Sequence, residues 1–311
     1  MSSPIENTLL KFAPTRWVVH FLQRVLLPGF GGMSIYDLLK TYFNGLIEGT
    51  FSARAGAISF SFFMAIFPTL LFLLNLIPYI PIENFQTQFL EFIYGLMPEQ
   101  SVSFFKPVLN DIAQNQRGGL LSFSGLLALL FMANGINTIF SCFEQSYHVV
   151  MSRNFVKQYC VAVGVSIILA LLLLTIIIGI IYLGYVLNDL IARDVVSSAS
   201  DVKLLAIGRT VFLIMMIYLA VITLYHFGTK EGRKTKFFSA GAVMTTLLIV
   251  LTTYLFSIYI DNFSSYNELY GSIGALLIMM LYIWLNSNLL LLGFELNASL
   301  LKLKYNPNTY K

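Results

Sequence analysis

The sequence predicts an all-α, polytopic membrane protein built as a bundle of six transmembrane helices. Of the 311 residues, 57% are hydrophobic and only 11% are charged, whereas ordinary globular domains carry about 25% charged residues. Runs of roughly twenty mainly apolar residues, long enough to cross about 30 Å of hydrocarbon, occur six times. Their length excludes the strands of membrane barrels, which are about ten residues long and alternate in polarity.

The apolar runs place the six spans at residues 57–80, 119–140, 159–187, 204–227, 237–260 and 272–301. They predict one membrane domain over residues 54–301, because no internal repeat or low-complexity linker divides them. An N-terminal segment, residues 1–53, precedes this domain, and a short cytoplasmic tail, residues 302–311, follows it.

The N-terminal segment is expected to contribute amphipathic helices on the cytoplasmic face. Apolar residues recur at helical spacing from Ile35 to Ile47, a pattern typical of a helix lying along the membrane interface. Residues 9–27 mix aromatic side chains with Lys11 and Arg16, and they predict a basic surface helix attracted to anionic lipid. Because no compact apolar core with a cleavage site accompanies these charges, we expect no cleavable signal peptide.

The longest connection, residues 81–118, follows the first span. Two stretches of it trace apolar helical faces, one around Phe89 and one around Phe105, with Pro98 and Pro107 as breaks. We therefore expect short helices on the periplasmic side between spans one and two.

Lysine and arginine residues divide unevenly between the connections. Fourteen lie before the first span at residue 57, in the even-numbered loops or after the last span, and four lie in the other loops. The positive-inside rule then places both termini in the cytoplasm. Cys142 and Cys160 would face a reducing compartment, so we expect free thiols.

The sequence favours a protein that is not an enzyme. His20, His148 and His226 lack metal-ligand spacing, and no HExxH, CxxC or GxSxG string occurs. The basic loop 228–235 departs from a phosphate-binding loop in its glycine spacing and carries Arg233 in place of lysine, so we interpret it as a topology determinant. We expect no catalytic residue, metal or cofactor, and no nucleic-acid partner because no aromatic platform accompanies the basic residues.

Polar residues inside the spans are the remaining candidates for function. The sixth span carries them on two opposed faces, about 160° apart, and the second span carries them on one stripe. A helix that is polar on two faces is not expected to show either to lipid, so the sixth span should lie at the centre of the bundle. Interhelical hydrogen bonding is one role for these side chains. The other is to line a polar cavity, which we predict for Asn134, Asn137, Ser141, Asn286, Asn288 and Ser299.

Glu295 puts a carboxylate into the apolar stretch that ends the sixth span. It precedes Lys302 by seven residues, about 10 Å of helix. An acidic residue at the bilayer centre costs about 2.5 to 3.5 kcal/mol, and somewhat less at this depth. A bound proton or a basic partner must offset that cost. Arg54 enters the first span from the same side at similar depth, so we predict an intramembrane ion pair between Arg54 and Glu295.

Arg209 is a second charge inside a span, near the outer end of the fourth. Two outcomes stay open for it. The side chain either snorkels outward to the interface or pairs with an acidic residue on the same side: Asp201, Asp261 or Glu268.

Four stretches resemble the YihY/BrkB family of bacterial inner-membrane proteins, formerly described as ribonuclease BN. They are residues 54–74, 122–149, 224–242 and 270–298. The last stretch is the most specific, because it ends in the string G-x-E-L-N-A at residues 293–298.

The resemblance implies an inner-membrane protein with cytoplasmic ends, with membrane lipids as partners, and with a link to transport of lipids and other amphiphiles. We therefore expect a transporter or translocation factor for an envelope lipid or other amphiphile. A non-transporting scaffold with an envelope protein as its partner is an alternative. An intramembrane enzyme using Glu295 and Ser299 is a further alternative, and ribonuclease activity is not expected. The sequence leaves the oligomeric state open.

Overall fold

The computed structural model is all-helical over the long stretches that it describes. Besides scattered residues, these stretches are 50–80, 115–145, 153–192, 199–230, 237–262 and 264–305. They contain six helices long and apolar enough to cross a membrane, which confirms the predicted fold class. We number them α1 (Thr50–Leu76), α2 (Gly118–Glu144), α3 (Phe155–Ala192), α4 (Ala199–Gly228), α5 (Ala240–Asn262) and α6 (Ser264–Tyr305).

The ends of α1 differ from the apolar run that predicted this span. The helix starts before residue 57 and includes Arg54, which is only 8% exposed. It ends at Leu76 and continues as a 3-10 turn over Ile77–Tyr79. Pro78 lies in that turn and has no amide hydrogen with which to extend an α-helix. Hydropathy thus misplaced the start because it treats every arginine as solvated.

The start of α5 is set by a cap. The predicted span began at residue 237, whereas the helix begins at Ala240. The Ser239 hydroxyl accepts a hydrogen bond from the Ala242 amide at 3.3 Å. A serine at this position satisfies an amide that has no partner within the helix.

Several predictions concern segments outside the described residues. The N-terminal amphipathic helices before residue 50 and the short helices of residues 81–114 fall almost entirely there. Of the predicted tail, residues 302–305 belong to α6 and the rest is not described. The division into residues 1–53, 54–301 and 302–311 therefore stays a prediction.

The chain forms two compact units. Unit 1 consists of Met1–Ala57, Ser141–Ser152 and Tyr225–Lys311, and so holds the start of α1, the end of α2, and α5 and α6. Unit 2 consists of Ile58–Phe140 and Arg153–Leu224, and so holds the rest of α1 and α2, α3 and most of α4.

Unit 1 is built around one segment of α6. Every residue from Leu290 to Ser299 is buried, so protein covers this segment, the buried α6 segment, on all sides. A helix at the edge of a bundle would bury only a stripe. The carboxylate of Glu295 therefore lies in protein surroundings.

Unit 2 packs α1 against α2 through phenyl rings and glycines. The ring of Phe72 lies over Gly125, where an added β carbon would be 3.0 Å from the ring, and the ring of Phe62 lies 3.4 Å from the same point on Gly135. Small residues allow such close approach between membrane helices.

Candidate functional site

Arg54 and Glu295 lie side by side in unit 1. Arg54 Nη2 is 3.3 Å from Glu295 Oε1, and the two side chains are 9% and 8% exposed. The arginine comes from the first turns of α1 and the carboxylate from the buried α6 segment. Because both groups are desolvated, removal of either leaves an uncompensated charge in the interior.

Arg54 has further partners on α1 and α2. Its Nη1 donates to the Cys142 carbonyl at 3.2 Å, and the Cys142 thiol points back to the Arg54 carbonyl at 3.7 Å. The guanidinium carbon lies 4.6 Å from the centre of the Phe51 ring, a cation–π distance. Arg54 thus joins α1, the end of α2 and α6. Cys142 and Cys160 both carry free thiols.

Three aromatic side chains form a cluster in unit 1. Phe143 stacks on Phe294 with ring centres 4.0 Å apart and planes 5° apart. Tyr225 meets both rings edge-on, at 5.8 and 6.0 Å. All three are buried. Phe143 directly follows Cys142 and Phe294 directly precedes Glu295, so the cluster joins the same segments of α2 and α6 that carry these partners of Arg54.

The Tyr225 hydroxyl connects α4 to α5 and α6. It donates to the Leu290 carbonyl at 2.7 Å and lies 2.7 Å from Thr245 Oγ1. A phenol has one hydrogen, so the second contact has the threonine as donor. This buried bond ties α4 to the backbone of the buried α6 segment.

Gly241 of α5 and Gly293 of α6 meet backbone to backbone. A β carbon on Gly293 would lie 2.5 Å from Tyr225 Oη and 2.8 Å from the Gly241 carbonyl oxygen, and it would overlap Thr245 Oγ1. A β carbon on Gly241 would overlap the Gly293 carbonyl oxygen. The two helices can approach this closely only where both residues lack a side chain.

Asn297 caps the start of α5. Its Oδ1 accepts from the Gly241 amide at 2.8 Å, and its Nδ2 donates to Ser239 Oγ at 3.0 Å. Amides in the first turn of a helix have no partner in the helix itself. Asn297, a residue of α6, therefore provides a hydrogen-bond acceptor for the first turn of α5, as a capping residue next to that turn in the sequence would.

The glycine, glutamate and asparagine of the G-x-E-L-N string contact different helices. Gly293 and Asn297 are four residues apart and both contact α5. Glu295, between them, projects about 200° away and reaches Arg54 on α1. The two opposed faces predicted for the sixth span are thus both covered by protein at this level.

The predicted cavity-lining residues divide between the two units. In unit 1, Asn286 and Asn288 each donate to the carbonyl four residues back, at 2.8 Å. Their Oδ1 atoms are buried and have no hydrogen-bond partner in the described part of the chain. Ser299 is buried, and Ser141 is half-buried.

In unit 2, Asn134 is exposed and accepts from the Tyr159 hydroxyl at 3.1 Å. Asn137 is half-buried, and its Oδ1 has no partner among the residues described. The structure therefore does not collect the six residues in one unit, and their role as a cavity lining stays a prediction.

Arg209 lies on α4 with an exposed side chain. The side chains of its three candidate acidic partners are outside the described residues, so the choice between snorkelling and pairing stays open. Within the described part of the chain, no group of three or more His, Cys, Asp or Glu residues could hold a metal ion.

A cavity of about 350 Å³ lies in unit 2 among α1, α2 and α3. Leu171 and Ile167 of its lining are 58% and 46% exposed, so the cavity reaches the outer surface of the spans. Thr69 is the polar side chain of the lining, and its hydroxyl donates to the Ala65 carbonyl of its own helix at 2.7 Å. The lining is Thr69, Phe72, Leu73, Gly125, Ala128, Leu129, Met132, Ile167, Ala170, Leu171, Leu173 and Leu174.

Comparison with known families identifies the group to which this chain is related. The family model described as virulence factor BrkB matches residues 43–310. The chain belongs to the BrkB family. This confirms the resemblance seen in the four sequence stretches, and it makes the chain a member of a family of membrane proteins.

Three relatives illustrate the range of the BrkB family. A ribonuclease-like protein of Bacillus subtilis (strain 168), YfkH, is 27% identical over 276 residues, covering 88% of this chain and 98% of the relative. A UPF0761 membrane protein of Psychrobacter sp. (strain PRwf-1) is 24% identical over 274 residues, covering 85% of this chain but only 48% of the relative.

A UPF0761 membrane protein of Xanthomonas oryzae pv. oryzae (strain PXO99A) is 26% identical over 94 residues, 30% of this chain and 22% of the relative. The chain therefore spans about half the length of the Psychrobacter protein and nearly all of the Bacillus protein. No solved structure matches the chain.

In this BrkB family chain, the sequence predicted the Arg54–Glu295 ion pair of the site. It did not predict the hydrogen bonds of Ser239, Tyr225 and Thr245. Ser239 before the start of α5 is a local signal of a helix cap and could have been recognised. Tyr225 and Thr245 gave no such signal, because a hydroxyl in a span has many candidate partners. The cavity gave no signal in the sequence either, since its apolar lining residues resemble the apolar residues found throughout the spans.

Proposed function

We propose that this BrkB family protein is a translocation factor that moves an envelope lipid or another amphiphile. The observation that carries the proposal is the cavity of unit 2. Its volume of about 350 Å³ falls in the range of small-ligand pockets, roughly 300 to 1,000 Å³. Its apolar lining and its exposed edge at Ile167 and Leu171 suit a hydrocarbon ligand that arrives from the bilayer.

The proposed location is the bacterial inner membrane, with both termini in the cytoplasm. Fourteen lysines and arginines, counting Arg54 at the start of α1, support this orientation and four oppose it. The Arg54–Glu295 pair then lies toward the cytoplasm. In this proposed orientation, the cavity residues Thr69–Leu73 lie in the second half of α1, toward its periplasmic end.

We propose a non-catalytic role for Glu295 and Ser299. The carboxylate is bound by Arg54 and shielded from water, which suits a structural ion pair more than a general base that must exchange protons with a substrate. The name ribonuclease-like belongs to the Bacillus relative. The proposed partners of this chain are membrane lipids.

Reconstitution into liposomes tests the proposal. The probe is phosphatidylglycerol with a fluorescent headgroup, and its movement between leaflets is followed by quenching with an impermeant reductant. Ala170→Phe places a phenyl ring into the cavity lining, whereas the control Ile168→Phe changes a side chain that is 39% exposed and does not line the cavity. We expect movement with the wild-type chain and the control, and much slower movement with Ala170→Phe.

Two results would contradict the proposal. One is wild-type movement no faster than in protein-free liposomes although the protein is folded. The other is equal movement in the two phenylalanine variants, which would show that the cavity takes no part.

A non-transporting scaffold, with an envelope protein as its partner, is the second candidate. The observation that favours it is the buried α6 segment, which an ion pair, a cap and a hydroxyl bond hold in place. Absence of lipid movement with the folded wild-type chain would favour the scaffold over transport. Arg54→Gln and Glu295→Gln then test whether the ion pair takes part in any lipid movement. Unaltered lipid movement in both folded variants would remove the ion pair from the transport mechanism and leave it with an architectural role.

A further inference from the structure

We infer that Phe72, seated on Gly125, sets the length of hydrocarbon chain that the unit 2 cavity accepts. The inference rests on the proposed function, because it assigns the ligand of the same cavity. It goes further by naming a single acyl chain as the ligand and one side-chain contact as the specificity determinant.

The lining defines the ligand as hydrocarbon. Its one hydroxyl, on Thr69, is already bonded within its own helix, so the lining offers no hydrogen for a headgroup. A polar ligand would lose its hydrogen bonds with water and gain none in return. The exposed edge at Ile167 and Leu171 lets a chain enter sideways from the bilayer. The headgroup of the amphiphile then stays outside the cavity.

The Phe72 ring can occupy its position only because residue 125 has no side chain. Two ring atoms of Phe72, Cδ2 and Cε2, lie 3.0 Å from the point where a β carbon of Gly125 would be. Both residues line the cavity. A larger side chain at residue 125 therefore competes with the ring for space beside the cavity, so less volume remains for a ligand. Loss of the ring adds volume, and the volume that a single acyl chain fills increases with the number of its methylene groups.

The same helices provide a matched control. Phe62 lies against Gly135 at 3.4 Å in the same ring-on-glycine arrangement, and neither residue lines the cavity. A valine at residue 135 therefore repeats the chemical change of a valine at residue 125 without touching the ligand.

Photolabelling in nanodiscs tests the inference. The probes are phosphatidylglycerols that carry a terminal diazirine on a decanoyl, myristoyl or stearoyl chain, and labelled peptides are quantified by mass spectrometry. The exposed face of α5, at Leu247, Leu251 and Leu255, reports ordinary contact with bilayer lipid. Labelling of the cavity lining is expressed relative to this face, and size-exclusion chromatography confirms that each variant is folded.

We expect the wild-type cavity to be labelled above the α5 face. Phe72→Ala should shift the preference toward longer chains and Gly125→Val toward shorter ones, by about fourfold for each methylene gained or lost. Gly135→Val should behave as the wild-type chain.

Equal labelling of the cavity and the α5 face in the wild-type chain would overturn the inference. An unchanged length preference in both Phe72→Ala and Gly125→Val would also overturn it. A length shift without any movement of lipid in the liposome assay would support the inference and contradict the proposed function, so the two failures are distinguishable.

Discussion

Glycine contacts in the two units differ in what the glycine faces. In unit 1, Gly293 lies against the Gly241 carbonyl and the hydroxyls of Thr245 and Tyr225. In unit 2, Gly125 lies against the phenyl ring of Phe72. A backbone carbonyl with fixed hydrogen bonds cannot move aside, whereas a ring can turn about its side-chain bonds.

The difference is between directional polar contacts in unit 1 and the fit of apolar side chains in unit 2. The buried α6 segment is held by directional interactions, each of which leaves a desolvated polar group behind when its partner is lost. The cavity lining of unit 2 is held by dispersion and tight fit, which tolerate repacking at lower cost. The predictions below sharpen or break this comparison.

Glu295→Leu is expected to have the largest effect. It leaves the buried Arg54 guanidinium without its carboxylate, so the free energy of unfolding should fall by about 3 to 5 kcal/mol. Equilibrium unfolding of the purified protein in mixed detergent micelles measures this loss. The control is the double variant Arg54→Leu with Glu295→Leu, which should recover much of the stability because no lone charge remains. A double variant less stable than Glu295→Leu would contradict the stabilising role of the ion pair.

Gly293→Ala and Gly125→Ala make the same substitution in the two units. Overpacking costs typically about 1 to 3 kcal/mol, and we expect Gly293→Ala at the upper end, because the new methyl group meets fixed polar atoms. Gly125→Ala should lie at the lower end, since the Phe72 ring needs to yield only a little. Equal losses in the same unfolding assay would remove the distinction between the units.

Asn297→Ala should destabilise unit 1 by about 1 to 2 kcal/mol, the usual effect of a lost helix cap. The Gly241 amide then loses its acceptor in the interior. Asn286→Ala is the control, because that side chain donates only to its own helix, and its loss should be smaller. Hydrogen exchange of the first turn of α5 gives a second readout, and unchanged protection in Asn297→Ala would contradict the cap.

Tyr225→Phe should have the smallest measurable effect in unit 1, about 0.5 to 1.5 kcal/mol, because it removes one hydroxyl and retains the ring. Thr69→Val is the counterpart in unit 2. Its hydroxyl donates to a carbonyl of its own helix, so unfolding should be nearly unchanged. A larger loss in Thr69→Val than in Tyr225→Phe would reverse the comparison of the two units.

The sequence was sufficient for the helices and for one contact between them. Depth in the membrane, read from distance to Lys302, paired Glu295 with Arg54, and the structure places their charged groups 3.3 Å apart. Depth in the membrane predicts this pair because a desolvated charge is stable only beside one of the few groups of opposite charge. Depth could not predict that Asn297 contacts α5. An asparagine side chain can instead donate to a carbonyl of its own helix, as those of Asn286 and Asn288 do.

By itself, the sequence determined the membrane class, the number of spans and the two polar faces of the sixth span. The length of an apolar run and the period of 3.6 residues per turn are local properties. Only the tertiary structure decided which helix meets which face, that α5 takes its cap from Asn297, and where the cavity lies. These depend on how well particular surfaces fit, and that fit cannot be recognised from the order of apolar side chains that are so much alike.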